Sequence, residues 1–323
     1  MNKTLLLLLA GWLHGSRLVA QDVAVEGRVV DAAQRLMLAG QVVNAATGAP
    51  VAYASVGVAG KPIGAVADGQ GKFAFAVAPG ILAATERVVV SCVGYQEAPL
   101  RVGDFAAGPQ TVRLTAQGVA LNEVKVKRSG QAKPRQFGYD NKGWSYHYVL
   151  QKEPKYFDKD EVFPAAVECG IILNINDKKG CFLDELNFCV ERNMSTRTKL
   201  RVNVNDVVSG MPGKLLSQQD MLFDVPDDVT GWIKFDLRKH NVLVAGLDEA
   251  VVTIQWVAGT GVKTEKGGKV GRFVPWLGIV GTWPSVARPY VLRAASQAPW
   301  QNPPAFLRGR LSFYVNTTCY KRD

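Results

Sequence analysis

Histidine is nearly missing from this chain, with three in 323 residues. His14 falls in an apolar leading stretch, which leaves His147 and His240. Hydrolysis by a triad needs a histidine poised beside Ser or Cys. His147 sits among Trp144, Tyr146 and Tyr148, and His240 follows Arg238 and Lys239. Neither has a nucleophile elbow or a metal-ligand spacing around it, so both read as loop or surface residues. The five cysteines, Cys92, Cys169, Cys181, Cys189 and Cys319, include no C-x-x-C pair, which argues against zinc. Beyond the first 20 or so residues no apolar run approaches the roughly 20 needed to span a bilayer, so no transmembrane segment is expected. An acidic excess is absent too. The formal charge is +10, spread along the chain, with its tightest cluster at Lys125, Lys127, Arg128, Lys133 and Arg135. No recognisable nucleic-acid module carries that charge, and a modest basic surface suits an anionic envelope or polysaccharide. Carboxylates such as Asp184, Glu185, Glu191 and Asp220 are plentiful, but nothing in their spacing marks the facing pair of a glycosidase.

What is present begins with Met1-Asn-Lys3-Thr followed by Leu5–Leu9, one cation ahead of a short apolar run. That is the pattern of a secretory signal peptide, with cleavage expected after Ala20. Export permits disulfides, and an odd cysteine count leaves at least one thiol outside them. Cys92, in the apolar run Val88–Val93, reads as a small buried hydrophobe. A Cys169–Cys181 bridge across a hairpin is one pairing to consider. Cys181 and Cys189 on one extended strand lie too far apart to join.

From Gly40 onward, short β-branched and apolar runs are cut by Gly, Pro, Asn and Asp. Strands are predicted at 40–44, 53–58, 63–67, 72–77, 86–93, 96–102, 110–114 and 123–127, the regular spacing of a sandwich. Thr47-Gly48-Ala49-Pro50 and Asp68-Gly69-Gln70-Gly71 are turns between them. The succession Gly40–Val56, Gly64–Asp68, Gly69–Phe73, Val88–Tyr95 and Leu121-Asn-Glu-Val-Lys-Val126 resembles the carboxypeptidase regulatory-like domain. This is a small transthyretin-like β-sandwich of secreted and envelope proteins in Bacteroidetes-type bacteria. The resemblance implies a domain over 40–127 with no catalytic site of its own. Residues 21–39 then read as an N-terminal extension, and the polar stretch 128–160, with its Gly and Pro, as a linker.

The second half, 161–323, resumes the strand pattern. Val167–Asn174 and Gly180–Val190 are predicted to form a hairpin across Asn176-Asp177. In Lys199–Val204 the residues Leu200, Val202 and Val204 face one way, while Arg201, Asn203 and Asn205 face the other. Trp232 and Trp256, inside strand patterns, are expected in the core. This half resembles a jelly-roll or galactose-binding-like β-sandwich, so the fold class is all-β with two sandwiches.

Trp276, Trp283, Tyr290 and Trp300, interleaved with prolines, carry two readings. They fold back to cap the sandwich, or they stand out as a platform on which the C–H faces of sugars pack. Asp224, Asp227 and Asp228 supply carboxylates for a structural calcium ion, and turn capping explains them without one. The expectation is a non-catalytic protein of the periplasm, outer-membrane surface or extracellular space, binding a glycan or an envelope protein. A structural component of an envelope complex is the alternative, followed by an uncharacterised glycan hydrolase.

Overall fold

Leu36–Asn44 forms β1, in which Leu38 and Val42 are fully buried while neighbouring positions face outward. The computed structural model describes residues 35–117, 131–141, 145–149, 167–176, 180–193, 195–261, 263–266, 269–272, 277–282, 290–302 and 310–320. Six more strands complete the first sandwich: β2 (Ser55–Val58), β3 (Gly64–Val66), β4 (Lys72–Val77), β5 (Arg87–Ser91), β6 (Ala98–Arg101) and β7 (Gln110–Leu114). One sheet has the order β4-β1-β7, with β1 and β7 parallel, and the other the order β3-β2-β5-β6. Leu38, Val42, Val56, Phe73, Phe75, Val88, Val90, Val112 and Leu114 fill the space between them. Seven of the predicted strands are present, and 123–127 lies outside the described residues. β1 begins inside the span read as an extension, because Leu36–Gln41 already pairs with β4.

Both turns are made as their residues require. Asn44 Oδ1 accepts from the backbone N–H of Ala46 and Thr47, the Asx arrangement that starts a turn. Asp68 Oδ1 does the same for Gln70 and Lys72. Gly71 sits at φ +71°, where a Cβ would also lie 2.5 Å from the Val42 carbonyl, so only glycine fits.

The second sandwich takes the remaining strands. β8 (Ala132–Tyr139), β9 (Ser145–Val149), β10 (Glu168–Asn174), β11 (Cys181–Asn193), β12 (Ser195–Val208), β13 (Met211–Leu215), β14 (Met221–Val225) and β15 (Gly231–Asp236) come first. They are followed by β16 (Leu243–Val244), β17 (Glu249–Gly261), β18 (Lys263–Lys266), β19 (Lys269–Arg272), β20 (Leu277–Thr282), β21 (Val291–Arg293), β22 (Arg310–Leu311) and β23 (Phe313–Tyr320). A six-stranded sheet has the path β13-β12-β17-β10-β21, with β14 beside β12. An eight-stranded sheet has the path β22-β20-β11-β23-β8, with β15 and β16 on β11 and β9 on β20. β18 and β19 form a separate hairpin. Leu200, Val202 and Val204 of β12 meet Leu186, Phe188, Phe313 and Val315 of the facing sheet, together with Trp256. Each such large side chain contributes about 1.5–3 kcal/mol when removed from water.

Three expectations are corrected here. The span 128–160 is not a linker throughout, since β8 pairs with β23 and β9 with β20. β8 turns Phe137 into the core, and Pro134 is tolerated because β8 is an edge strand. β10 and β11 do not form a hairpin. β10 pairs with β17 and β21, whereas β11 pairs in the other sheet, so the chain crosses between sheets at this point. Trp232 lies on the outer face of β15, half-buried edge-on against Tyr314 at 5.1 Å, because Ile233 and Phe235 take the inward positions.

The crossing also redirects the disulfide. Cys181 lies opposite Cys319 in the β11–β23 ladder, and the two are bonded, while Cys169 carries a buried thiol on β10. The bridge closes a sequence separation of 138 residues. Replacing both cysteines by alanine is expected to cost about 2–5 kcal/mol, mostly by freeing the unfolded chain. Urea unfolding of the variant beside the wild type, with and without reductant, checks this. Reductant should then affect only the wild type.

Candidate functional site

The polar face of β12 decides where a site can form. Alternation turns Arg201, Asn203 and Asn205 away from the core, yet they are only 3%, 7% and 9% exposed. Their neighbours on this face, Glu168 of β10 and Thr253 and Gln255 of β17, are equally buried. A sheet face this polar would ordinarily meet water. Here the first sandwich stands against part of it, and both sandwiches fall within one unit, Leu36–Asp323.

Arg201 makes the join. Its guanidinium donates to both carboxylate oxygens of Asp220, at 2.6 and 2.9 Å, and to Gln255 Oε1 at 3.0 Å. It then reaches into the first sandwich, donating to the Tyr53 carbonyl at 2.8 Å and to Ser55 Oγ at 3.5 Å. Burial opposes its charge, but the Asp220 carboxylate holds the guanidinium protonated, above its ordinary range. Nearby, the Gly60 N–H donates to the Gln297 carbonyl at 3.0 Å. Gly57 of β2 approaches the same turn so closely that a Cβ would lie 2.8 Å from Gln297 Cγ and Ser296 Oγ.

A second buried pair stands beside the first. Glu168 accepts from Arg293 Nε at 2.8 Å and Nη2 at 2.5 Å, from Asn203 Nδ2 at 2.8 Å, and from the Thr253 hydroxyl. Burial alone would raise its pKa, but the Arg293 charge and these donors bring it below the usual carboxylate range. The Arg293 guanidinium also lies over the Trp300 ring, 4.4 Å from its centroid, a cation–π contact that fixes its plane.

Between the sandwiches a cleft of about 770 Å³ opens onto this polar face. The segment Ser91–Glu97 and Gln117 form one wall, and Gly213–Leu215, Ser217 and Gln218 the opposite one. Arg201, Asn203, Asn205, Gln255, Arg293 and Ser296 lie along its floor, with Ser55 at the join. Cys92 lines it too, half-buried rather than in the core, and burial pushes its thiol up to about 11, which makes it a poor nucleophile.

The residues singled out from sequence lie elsewhere or in other roles. Trp276 and Trp283 fall outside the described residues. Tyr290 is 2% exposed in the core of the second sandwich, at the back of a smaller hollow of about 340 Å³, and this burial removes it from an exposed platform. Trp300 is half-buried behind Arg293, supporting the cleft from outside it. Two of the three aspartates have protein partners. Asp224 pairs with Lys199 across the β12–β14 ladder, and Asp227 accepts from the Arg197 N–H at 2.8 Å. Among the described residues no three His, Cys, Asp or Glu side chains converge as metal ligands. His240 packs edge-on to Phe223 at 5.9 Å, and burial lowers its pKa. The β12 alternation was the available signal for the cleft; what it lacked was any sign that the outward face is covered.

The chain has distant likenesses among solved structures. It is similar at 12% identity to the cysteine protease and lectin-like domains of Cwp84, a surface layer associated protein of Clostridium difficile, with a TM-score of 0.32 over 49% of this chain and 33% of that one. It is similar at 10% identity to the infectious bursal disease virus VP2 subviral particle, with a TM-score of 0.24 over 73% and 48%. The chain thus spans about a third and about half of those structures, and neither likeness bears on function. No curated protein matches the chain. Residues 38–126 match the CarboxypepD_reg-like domain family, the span that holds β1–β7 but for the first two residues of β1. The chain therefore carries a CarboxypepD_reg-like domain, followed by a further β-strand-rich region.

Proposed function

We propose that this is an exported, non-catalytic binding protein of the cell envelope, holding its ligand in the cleft between the two sandwiches. The observation that carries the reading is the cleft itself, about 770 Å³ of space floored by a polar sheet face and walled by both sandwiches. That volume lies within the range of small-molecule sites, about 300–1,000 Å³. The two arginines on its floor are committed to the fold: Arg201 to Asp220, and Arg293 to Glu168. Such groups position a ligand and are poorly placed to exchange protons with one. The Cys181–Cys319 disulfide and the leading segment both support export.

Gln218 is exposed at the mouth of the cleft, so Gln218→Trp fills the opening without touching the core. Retention of the purified protein on envelope polysaccharide and envelope protein fractions, each titrated separately, checks the reading. Saturable retention should fall at least tenfold in Gln218→Trp, with the melting temperature unchanged. Equal retention of the two proteins would sink the cleft as the site.

A further inference from the structure

We infer that the cleft takes a neutral, polyhydroxylated ligand, that is, an uncharged oligosaccharide. The inference rests on the binding reading above and concerns what the cleft accepts. The lining is dominated by amides and hydroxyls. Ser91, Gln96, Gln117, Ser217, Gln218 and Gln297 line it from both sandwiches. Primary amides offer donors and an acceptor on one side chain, and hydroxyls switch between the two roles. A sugar hydroxyl has the same double character, so one ring can satisfy several such groups at once.

The floor also has capacity that the fold does not consume. Asn203 commits its Nδ2 to Glu168, which leaves its Oδ1 as an acceptor beside the cleft. Asn205 Oδ1 and Ser296 Oγ, of residues in the same floor, are buried atoms that also lack a hydrogen-bond partner.

The charge balance decides against an anionic ligand. Arg201 and Arg293 line the cleft, and each already faces a carboxylate, Asp220 and Glu168 respectively. At the rim stand one cation, Lys214, and one anion, Glu97. A uronate or phosphate would find no uncommitted cation among the described residues of the floor. The lining is equally unlike that of a peptide groove, for among the described residues Val93 and Leu215 are its only large aliphatic side chains. A peptide would need apolar pockets for alternate side chains.

The test is calorimetric titration of the full mature chain with three sets of probes. These are neutral gluco-, manno- and galacto-configured oligosaccharides, their uronate counterparts, and uncharged hexapeptides. Wild type, Gln218→Trp and Gln96→Trp are compared, both substituted residues being exposed at the rim. The expected result is saturable binding of at least one neutral oligosaccharide, weakened at least tenfold in both variants, with its uronate counterpart bound no more tightly. A uronate preferred more than tenfold, or a hexapeptide that binds in place of any sugar, overturns the ligand class while the cleft remains the site. Neutral sugar binding that neither tryptophan weakens overturns both readings, and so does silence from every probe combined with unchanged retention of Gln218→Trp on envelope fractions.

Discussion

Glu168→Gln is expected to destabilise the second sandwich by about 3–5 kcal/mol at pH 7. The carboxylate is fully buried and receives donors from Arg293, Asn203 and Thr253. Glutamine keeps the shape and can still accept through one oxygen. It removes the negative charge, however, and presents an N–H₂ group where another donor already points. Arg293, 20% exposed at its side chain, is then left without its counter-charge, which is why removing one partner costs more than the pair contributes. The pH dependence follows the same logic. The folded-state pKa of Glu168 lies below its ordinary value of 4.5. The stability it contributes is therefore fully present above that value and is lost as pH falls through the folded pKa. Urea unfolding across this range should show wild type losing stability towards acid while Glu168→Gln, lacking the group, loses less. The difference between the two is thus largest at neutral pH and narrows below pH 4.5. A constant difference would mean that the loss comes from the misplaced amide donor and not from the charge of Glu168.

Much of the architecture could be read from local pattern, and the failures share a cause. Seven strands of the first sandwich and the turns around Gly48 and at Asp68–Gly71 depend on residues near one another in sequence, and period and turn chemistry find these. The alternation in β12 likewise put Leu200, Val202 and Val204 on one face, and that face is the core side. What local pattern does not carry is which sheet a strand joins. β10 and β11 follow one another like a hairpin, yet each finds its partners far away, at β17 and at β23. The disulfide depends on the same long-range fact, because Cys319 becomes the neighbour of Cys181 only once β23 has paired with β11. The site suffered most. Arg201, Asn203 and Asn205 read only as the face opposite Leu200, Val202 and Val204, and only the packing of the first sandwich against that face makes them the floor of a cleft. Trp300 drew attention as an aromatic near prolines, but its neighbour Arg293 gives the ring a supporting task.

Arg201→Met is expected to lower stability by about 3 kcal/mol and, more tellingly, to uncouple the two sandwiches. The methionine fills the space of the aliphatic stem, so the loss comes from the guanidinium. Asp220 remains 22% exposed at its side chain and can be rehydrated in part, which places the cost at the lower end of the range for broken buried pairs. Across the join, the bonds to the Tyr53 carbonyl and to Ser55 disappear, leaving among the described residues the Gly60–Gln297 backbone bond, the weaker Gln255–Ser55 contact and the Lys199 ammonium 5.8 Å from the Tyr53 ring centroid. Interfaces this polar leave neighbouring domains free to move unless something holds them. Differential scanning calorimetry should therefore resolve two transitions in Arg201→Met where the wild type unfolds in one, the lower belonging to whichever sandwich loses more. The double variant Arg201→Met/Asp220→Leu separates pairing from clamping. Exchanging a buried ion pair for apolar side chains is often neutral or better, so most of the lost stability should return. The second transition should persist, since neither new side chain can reach the Tyr53 carbonyl. A double variant that unfolds in a single step would show that apolar contact alone joins the sandwiches, and that Arg201 serves only to neutralise Asp220.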